Sequence, residues 1–245
     1  MPNIDTYREM LAQPWGKIQY EITLAQLAHI KGLNILDFGA GFGIVSQFLS
    51  KHNTVTAVEP NAEMLFADEA QTFTKILGSL EKLDNIADET FDLICCHNVL
   101  EYIAPDERPL YLNAFRRLLK PGGQLSIIKH NTVGKVLQSV VFSNDVDTAL
   151  QLLKGGDFKS LSFAQGKTYD IAELVEISQL ALEDYQGIRT FYSLQPNTFK
   201  TEADWLEKMT TIELAVCNEK PYKDISFLQH VWLRKEENEC LSVKN

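Results

Sequence analysis

"ILDFGAGFG", residues 35–43, joins a short apolar run to three glycines within five residues. The apolar run predicts a buried β-strand, and "IVSQFLSKH", directly after the glycines, predicts a helix. Glycine tolerates positive φ and, because it has no Cβ, lets a ligand approach the main chain. In open α/β sheets, ligands bind where a strand ends and a helix begins. The stretch therefore predicts such a sheet, with a ligand crevice at Gly39, Gly41 and Gly43.

Strand-like and helix-like segments continue to alternate on both sides of this stretch. Strands are predicted at 33–39, 54–60, 74–80, 91–100, 124–131, 185–194 and 225–235. Helices are predicted at 20–30, 44–52, 61–70, 109–123, 169–181 and 203–217. We therefore expect an α/β fold, a Rossmann-like seven-stranded, mostly parallel sheet with helices on both faces. Residues 1–245 are expected to form a single domain, with a cap inserted at about 133–165, where no clear strand is visible.

The composition excludes several classes of protein. A hydrophobic content of 45% is enough for a full core, and a formal charge of −10 argues against a general nucleic-acid coat protein. Cys95, Cys96, Cys217 and Cys240 show no metal-ligand spacing, so we expect reduced thiols and no metal site. The N-terminus has no basic-then-apolar signal, and no apolar run approaches 18 residues. A cytoplasmic protein without a membrane segment is the expectation.

The order of glycines and carboxylates narrows the choice of ligand. A dinucleotide fold would have G-x-G-x-x-G, with a pyrophosphate on the helix N-terminus, whereas this chain has G-x-G-x-G after Asp37. Glu59 ends the next strand, where a carboxylate can accept hydrogen bonds from both ribose hydroxyls in either kind of site. The loop resembles the S-adenosylmethionine (SAM) loop of class I methyltransferases. SAM has no phosphate, and its ammonium and sulfonium groups favour nearby carboxylates.

Three further blocks, "GSLEKL", "FDLICCHNVLEYI" and "LLKPGGQLSI", follow in the order found in class I methyltransferases. A single glycine turn is weak evidence, because any tight strand-to-helix turn favours glycine, but four blocks in order favour SAM over a dinucleotide. The resemblance implies SAM as cofactor. It also implies the following cofactor-binding residues: Asp37, Gly39, Gly41, Gly43, Glu59, Ser79, Leu80 and His97.

A finer resemblance concerns the acceptor. "HNVLEYIA", "KHNTVGKVL", "GIRTFYSL" and the C-terminal "IELAVCNEKPYKDISFLQHVWLRK" resemble bacterial tRNA methyltransferases that esterify the carboxylate of 5-carboxymethoxyuridine at the wobble position. The resemblance runs from Tyr7 to Lys235, although Gln19 or Tyr20 stands where that family carries a basic residue. It implies tRNA as the partner and a carboxylate as the methyl acceptor.

Catalytic candidates follow from that chemistry. A carboxylate is already ionised at pH 7 and needs no general base, so the site mainly needs a cation to aim it. Arg189 in "GIRTF" is the first candidate, since guanidinium binds carboxylate bidentately, and the alternative is an exposed charge on an edge strand. His97, at the end of the fourth strand, is a candidate hydrogen-bond donor or base, or it packs against the cofactor. Asn131, Tyr169 and Tyr192 either line the acceptor pocket or serve the structure.

Two other classes of function remain open from the sequence. The first is a small-molecule O- or N-methyltransferase whose cap closes over a carboxylate, phenol or amine. The second is a SAM-binding module without turnover. Catalysis separates the module from the two enzymes, and salt-sensitive RNA binding separates the tRNA enzyme from the small-molecule enzyme.

Overall fold

Seven strands form one sheet in the computed structural model, which describes residues 8–9, 11–159, 165–200 and 204–237. The strands of this sheet are β1 (Asn34–Phe38), β2 (Thr54–Glu59), β3 (Thr74–Leu77), β4 (Phe91–His97), β5 (Leu119–His130), β8 (Ala181–Ile188) and β9 (Leu228–Arg234). Their spatial order is β3-β2-β1-β4-β5-β9-β8. Pairings among β1–β5 are parallel, and β9 runs antiparallel to both β5 and β8. The predicted seven-stranded, mostly parallel sheet is confirmed.

Helices cover both faces of the sheet, as predicted. They are α1 (Pro14–Leu27), α2 (Ile44–Leu49), α3 (Ala62–Leu65), α4 (Leu80–Leu83), α5 (Arg108–Leu118), α6 (Thr132–Leu137), α7 (Val146–Leu153), α8 (Ile171–Ser178), α9 (Trp205–Val216) and α10 (Tyr222–Ile225). Strand alternation separates two cores: Ile35 packs with Leu27 of α1 on one face, and Leu36 packs with Phe115 of α5 on the other. Strand β1 lies between β2 and β4, so the direction of strand addition reverses there and a crevice opens at its carboxyl end.

The boundary between α5 and β5 differs from the prediction. The sequence predicts that Pro121, Gly122 and Gly123 close the helix, but the helix ends at Leu118 and these residues lie in β5. The reason is a long-range pairing. Lys235 accepts from the Gly122 amide at 2.9 Å and donates to the Gly123 carbonyl at 2.9 Å, just beyond the end of β9. This long-range backbone pairing therefore places Pro121, Gly122 and Gly123 in a strand, although their local sequence predicts the end of a helix.

The region predicted as the cap contains a short strand pair that the sequence does not reveal. After α6, a π-helical turn (Gln138–Phe142) and α7, strands β6 (Phe158–Lys159) and β7 (Gln165–Gly166) pair antiparallel. Residues 160–164, between the two strands, lie outside the described residues. The buried Phe158 ring lies 4.7 Å from the His130 ring, measured between centroids, and 6.2 Å from the Tyr102 ring. This region therefore packs on the carboxyl end of β5 and on the segment after β4.

Cys95, Cys96 and Cys217 are buried free thiols, and Cys240 lies outside the described residues. Within the ranges that the structure describes, no three or more His, Cys, Asp or Glu side chains cluster in a way that would hold a metal ion. In those same ranges, no helix is long and apolar enough to cross a membrane.

Candidate functional site

The glycine loop lies at the carboxyl end of β1, where backbone conformation and packing both require glycine. Gly39, Gly41 and Gly43 have φ of +75°, +56° and +70°. A Cβ at Gly39 would lie 2.4 Å from Val99 Cγ2, and one at Gly43 would lie 2.6 Å from Phe73 Cζ. A side chain at Gly39 or Gly43 would thus need both a strained backbone and displaced neighbours.

Two carboxylates flank this loop. Ser46 Oγ donates to Asp37 at 2.5 Å, yet burial outweighs this bond and raises the pKa of Asp37 to about 6. The two oxygens of Glu59 accept the backbone N–H groups of Gly41 and Asn61, each at 2.9 Å, and burial raises its pKa. Because each carboxylate oxygen has two acceptor positions, Glu59 can hold the loop and still accept a ligand hydroxyl.

Ser79 and Leu80 lie at the same edge of the sheet as Glu59. Leu80 begins α4 and packs against the core, while Ser79 precedes it. The Gly78 amide donates to the Glu59 carbonyl at 3.1 Å, which joins this segment to the end of β2. The structure therefore brings Ser79 and Leu80, two of the predicted cofactor-binding residues, next to Glu59, the carboxylate predicted to accept from ribose.

His97 ends β4, and its two ring nitrogens have different surroundings. Nε2 lies 2.8 Å from Ser126 Oγ, whereas the buried Nδ1 has no hydrogen-bond partner within the described part of the chain. Burial lowers the pKa of His97 to about 3. The imidazole is therefore neutral at pH 7 and a weak base, which argues against a general-base role for it.

Asp37, Glu59 and His97 form a set of hydrogen-bond acceptors that fits SAM. Asp37 pairs with Cys95 across β1 and β4, so His97, two residues past Cys95, lies level with Gly39. Two carboxylates and a bare imidazole nitrogen are suitable partners for an ammonium group and for ribose hydroxyls. The residues at this edge thus match the donors that SAM carries.

Arg189 lies just past β8 and is buried, with 7% of its surface exposed. The alternative of an exposed edge-strand charge is therefore wrong. Its φ of +61° is unusual for a residue with a side chain. Nη1 donates to Gln19 Oε1 at 3.1 Å, and Nε has no partner among the described residues. The guanidinium lies 4.7 Å from the Phe227 ring centroid and 5.3 Å from that of Tyr192, and burial lowers its pKa to about 10.

The turn that carries Arg189 is held by a buried carboxylate. Glu213 in α9 accepts three backbone N–H groups, from Thr190 at 2.6 Å, Phe191 at 2.8 Å and Tyr192 at 2.7 Å. These charge-assisted bonds fix the chain directly after Arg189 and stabilise its left-handed conformation. The Arg189 side chain is consequently well positioned although it follows an edge strand.

Of the other polar candidates, Asn131 serves the structure. Its side chain caps α6 through the Val133 amide and donates to the carbonyls of Asp224 and Ser226 at 2.9 and 2.8 Å. Tyr169 is buried and its hydroxyl has no partner within the described ranges. Its ring lies 5.3 Å from Lys129 Nζ.

Sequence reasoning missed Glu101. It lies in the 3-10 turn Leu100–Tyr102, which comes shortly after β4. It is 1% exposed, and neither carboxylate oxygen has a hydrogen-bond partner in the described ranges. Burial raises its pKa to about 7, and this outweighs the opposing effects of nearby backbone N–H groups and of the Lys129 and Lys135 charges. His130 Nε2 lies 3.9 Å away but is neutral, because burial lowers the pKa of His130 well below its ordinary value. The one sequence signal that could have indicated a functional role for Glu101 was its position after a strand, at the carboxyl edge of the sheet.

Lys135 was missed as well. Its Nζ lies 3.8 Å from the Phe158 ring centroid and 4.9 Å from that of Phe227, and burial lowers its pKa to about 7. No carboxylate lies within ion-pair distance of Lys135 or Arg189 in the ranges described. Lys135 and Arg189 thus both lie against the Phe227 ring, and Lys135 also contacts Phe158 of β6.

Comparisons with known proteins identify the kind of fold and the class of enzyme. Residues 36–127 match the model of the family described as "Methyltransferase domain". A ubiquinone biosynthesis O-methyltransferase of Klebsiella pneumoniae (strain 342) is 27% identical over 178 residues, 69% of each chain. Among solved structures, a possible histamine N-methyltransferase of Thermotoga maritima has a TM-score of 0.63 at 14% identity, covering 95% of this chain and 96% of its own.

A second solved structure was obtained with ligands. The 1,6-didemethyltoxoflavin-N1-methyltransferase of Burkholderia thailandensis, crystallised with 1,6-didemethyltoxoflavin and S-adenosylhomocysteine, has a TM-score of 0.57 at 16% identity. It covers 96% of this chain and 84% of its own length. The sheet and the matches define a class I, Rossmann-like methyltransferase fold. The protein is a SAM-dependent methyltransferase, and SAM is its cofactor.

Proposed function

We propose that the protein methylates a hydroxyl group of a small aromatic acceptor. The observation that carries this proposal is Glu101, a buried carboxylate with two unpartnered oxygens and a pKa of about 7. A hydroxyl must lose its proton on methylation, and the most effective base has a pKa near the working pH. A carboxylate acceptor would need no such group. Glu101 therefore favours an alcohol or phenol over the carboxylate that the finer resemblance implied.

The position of Glu101 supports the same role. Val99 contacts the glycine loop at Gly39, and Glu101 follows Val99 by two residues, in the next 3-10 turn. Glu101 is therefore close in the chain to a residue that touches the cofactor loop. SAM supplies the methyl group on a sulfonium that leaves as a neutral thioether. Glu101 accepts the hydroxyl proton as the acceptor oxygen bonds to the methyl carbon, and in-line placement of that oxygen lowers the barrier.

The surrounding groups support an aromatic acceptor with negative charge. His130 lies 4.7 Å from Phe158 and 5.2 Å from Phe227, measured between ring centroids, and these rings offer flat apolar contacts. Arg189 and Lys135 both lie over the Phe227 ring. In this role Arg189 binds an anionic substituent of the acceptor and stabilises charge that develops on its oxygen. Lys135 can donate a hydrogen bond to the acceptor in either protonation state.

The comparisons favour a small molecule over tRNA. The relative named above is an O-methyltransferase of ubiquinone biosynthesis, and the Burkholderia enzyme was crystallised with a small heterocycle. Wobble-uridine methylation in tRNA rests on the sequence resemblance alone. Methylation of tRNA is therefore the alternative result that the labelling experiment below would detect.

The test is a pH profile of single-turnover methylation, with an acceptor found in a panel of hydroxylated aromatic acids. The rate should rise about tenfold per pH unit below pH 7 and level off above it, because Glu101 must be deprotonated. Glu101→Gln should lower the rate by about 10²–10⁴ and leave SAM affinity unchanged. The exposed Glu107→Gln is the matched control and should change neither. A flat profile from pH 6 to 9 would instead indicate a carboxylate acceptor.

A further inference from the structure

A buried chain of hydrogen-bonding groups runs from His97 at the end of β4, across β5 and β9, to β8 at the edge of the sheet. Gln26 Nε2 donates to the Gly187 carbonyl at 3.1 Å, and Gln26 Oε1 lies 2.8 Å from His230 Nδ1. His230 Nε2 lies 2.6 Å from Ser126 Oγ, which lies 2.8 Å from His97 Nε2. His230 and Ser126 are fully buried and Gln26 is 6% exposed. Methyl transfer as described above makes no use of this chain.

The chemistry of its members fixes the direction of every bond. The Gly187 carbonyl only accepts, so the Gln26 amide nitrogen faces it and the amide oxygen faces His230. His230 Nδ1 therefore carries a proton, and its Nε2 is a lone pair, because burial keeps His230 neutral by lowering its pKa. Ser126 has one hydroxyl proton and donates it to that lone pair. Ser126 Oγ then accepts from His97.

The last step defines the tautomer of His97. Its Nε2 carries the proton that it donates to Ser126, so Nδ1 of the neutral ring is a bare lone pair. Cys95 also lies within hydrogen-bonding reach of Ser126, and its thiol can donate to the remaining lone pair of Oγ without changing this order. His97 Nδ1 is buried and unpartnered in the described part of the chain. A buried acceptor of this kind requires a donor.

The order of residues along the sheet edge indicates which donor reaches it. Strands β3, β2, β1 and β4 lie side by side, and their carboxyl ends carry Ser79, Glu59, the glycine loop and His97 in that sequence. SAM is a linear molecule whose groups run adenine, ribose, sulfonium and amino acid. With its ribose at Glu59, its amino-acid end falls at β1 and β4, level with Gly39 and His97. The donor at that end is the ammonium group.

We infer that His97 Nδ1 accepts a hydrogen bond from the ammonium of SAM. In the same inference, Ser126, His230 and Gln26 are positioning residues that hold His97 in the tautomer able to accept it. Asp37, on the same face of the sheet, supplies a negative charge near the same group. The inference depends on the cofactor and not on the identity of the methyl acceptor.

The first test reads the tautomer directly. Nitrogen NMR of ¹⁵N-histidine-labelled protein at pH 7 distinguishes protonated from bare ring nitrogens, and His97→Gln assigns the His97 signals. In the wild type we expect His97 to have a protonated Nε2 and a bare Nδ1. His230 should have the opposite arrangement, with its proton on Nδ1. A proton on His97 Nδ1 would overturn the inference.

The second test uses a matched pair of substitutions and a matched pair of ligands. Asn places its amide near the position of His Nδ1, whereas Gln reaches toward the position of Nε2. Calorimetry compares S-adenosylhomocysteine with the analogue in which hydrogen replaces the amino group. His97→Gln should weaken binding of S-adenosylhomocysteine by about tenfold or more and leave the deamino analogue unaffected. His97→Asn should retain most of the affinity, and the exposed His52→Ala should change nothing.

Two other results, one from calorimetry and one from NMR, would count against the inference. Equal losses for both ligands in His97→Gln would show that His97 supports the fold rather than the ammonium, and would overturn the inference. Ser126→Ala should produce a mixture of His97 tautomers in the NMR spectrum, because its hydroxyl no longer orders the ring. A single unchanged tautomer in that variant would refute the positioning role of Ser126.

Discussion

Replacing Glu101 by Gln should make the protein more stable while removing its activity. Burial disfavours the ionised form of Glu101 and so raises its pKa from 4.5 to about 7 in the folded state. The folded state therefore binds more protons than the unfolded state between these values, and stability falls as pH rises from 4.5 to 7. Above pH 7, the ionised carboxylate costs about 3 kcal/mol of stability.

The groups facing Glu101 determine how much of this energy the substitution recovers. Lys129 and Lys135 lose a favourable neighbour, but burial lowers their pKa values to about 8 and about 7. At pH 8.5 both can lose their protons cheaply, so no uncompensated cation remains. His130 and Tyr169 are neutral there, because burial lowers the pKa of His130 and raises that of Tyr169. We expect a net gain of roughly 1–3 kcal/mol in the free energy of unfolding.

Urea unfolding of wild type and Glu101→Gln at pH 8.5 and pH 5 measures this effect. The variant should be more stable at pH 8.5, and the difference should shrink at pH 5, where wild-type Glu101 is protonated. A variant that is less stable than wild type at pH 8.5 would show that Glu101 is a structural ion-pair partner of the lysines. The base role would then lose its support.

Three further substitutions test the cofactor loop and the acceptor cation. Glu59→Gln should weaken SAM binding about tenfold by calorimetry, because a neutral amide accepts ribose hydrogen bonds less well; unchanged affinity would refute the ribose assignment. Gly39→Ala should abolish SAM binding and lower stability by about 1–3 kcal/mol, and adding Val99→Ala should restore part of the stability by removing the clash. Arg189→Gln should lower kcat/KM for the acceptor by about 30-fold or more with SAM affinity unchanged, and a parallel loss of SAM affinity would contradict its acceptor role.

The cofactor half of the molecule could be predicted from the sequence because its signals are local. The buried strand before Gly39 and the glycines with positive φ are fixed by apolar runs and by steric limits within a few residues. The position of Glu59 at the end of β2 could be predicted for the same reason, since the length of that strand can be read directly. The start of β5 was missed because its glycines pair with Lys235, far away in the chain.

The acceptor half could not be predicted in the same way. Glu101 is a single charged residue within the mainly apolar segment 99–104, and only the packing of the β6–β7 region and β5 shows its carboxylate to be buried. The burial of Lys135 could not be predicted either, because it depends on contacts with Phe158 and Phe227, which lie in distant segments of the chain. Arg189 was named, but its burial depends on contacts with α1 and on the Glu213 bonds to the following turn.

The chemical form of the transferred methyl group distinguishes a small hydroxylated acceptor from a carboxylate or tRNA. The purified protein is incubated with methyl-labelled SAM and either a small-metabolite extract or total tRNA, and the labelled products are then treated with mild alkali. A hydroxyl acceptor predicts label in the small-molecule fraction, bound as an ether that survives alkali, and no label with Glu101→Gln. Label in tRNA would contradict the small-molecule acceptor, and label in an ester that alkali cleaves would identify a carboxylate as the acceptor.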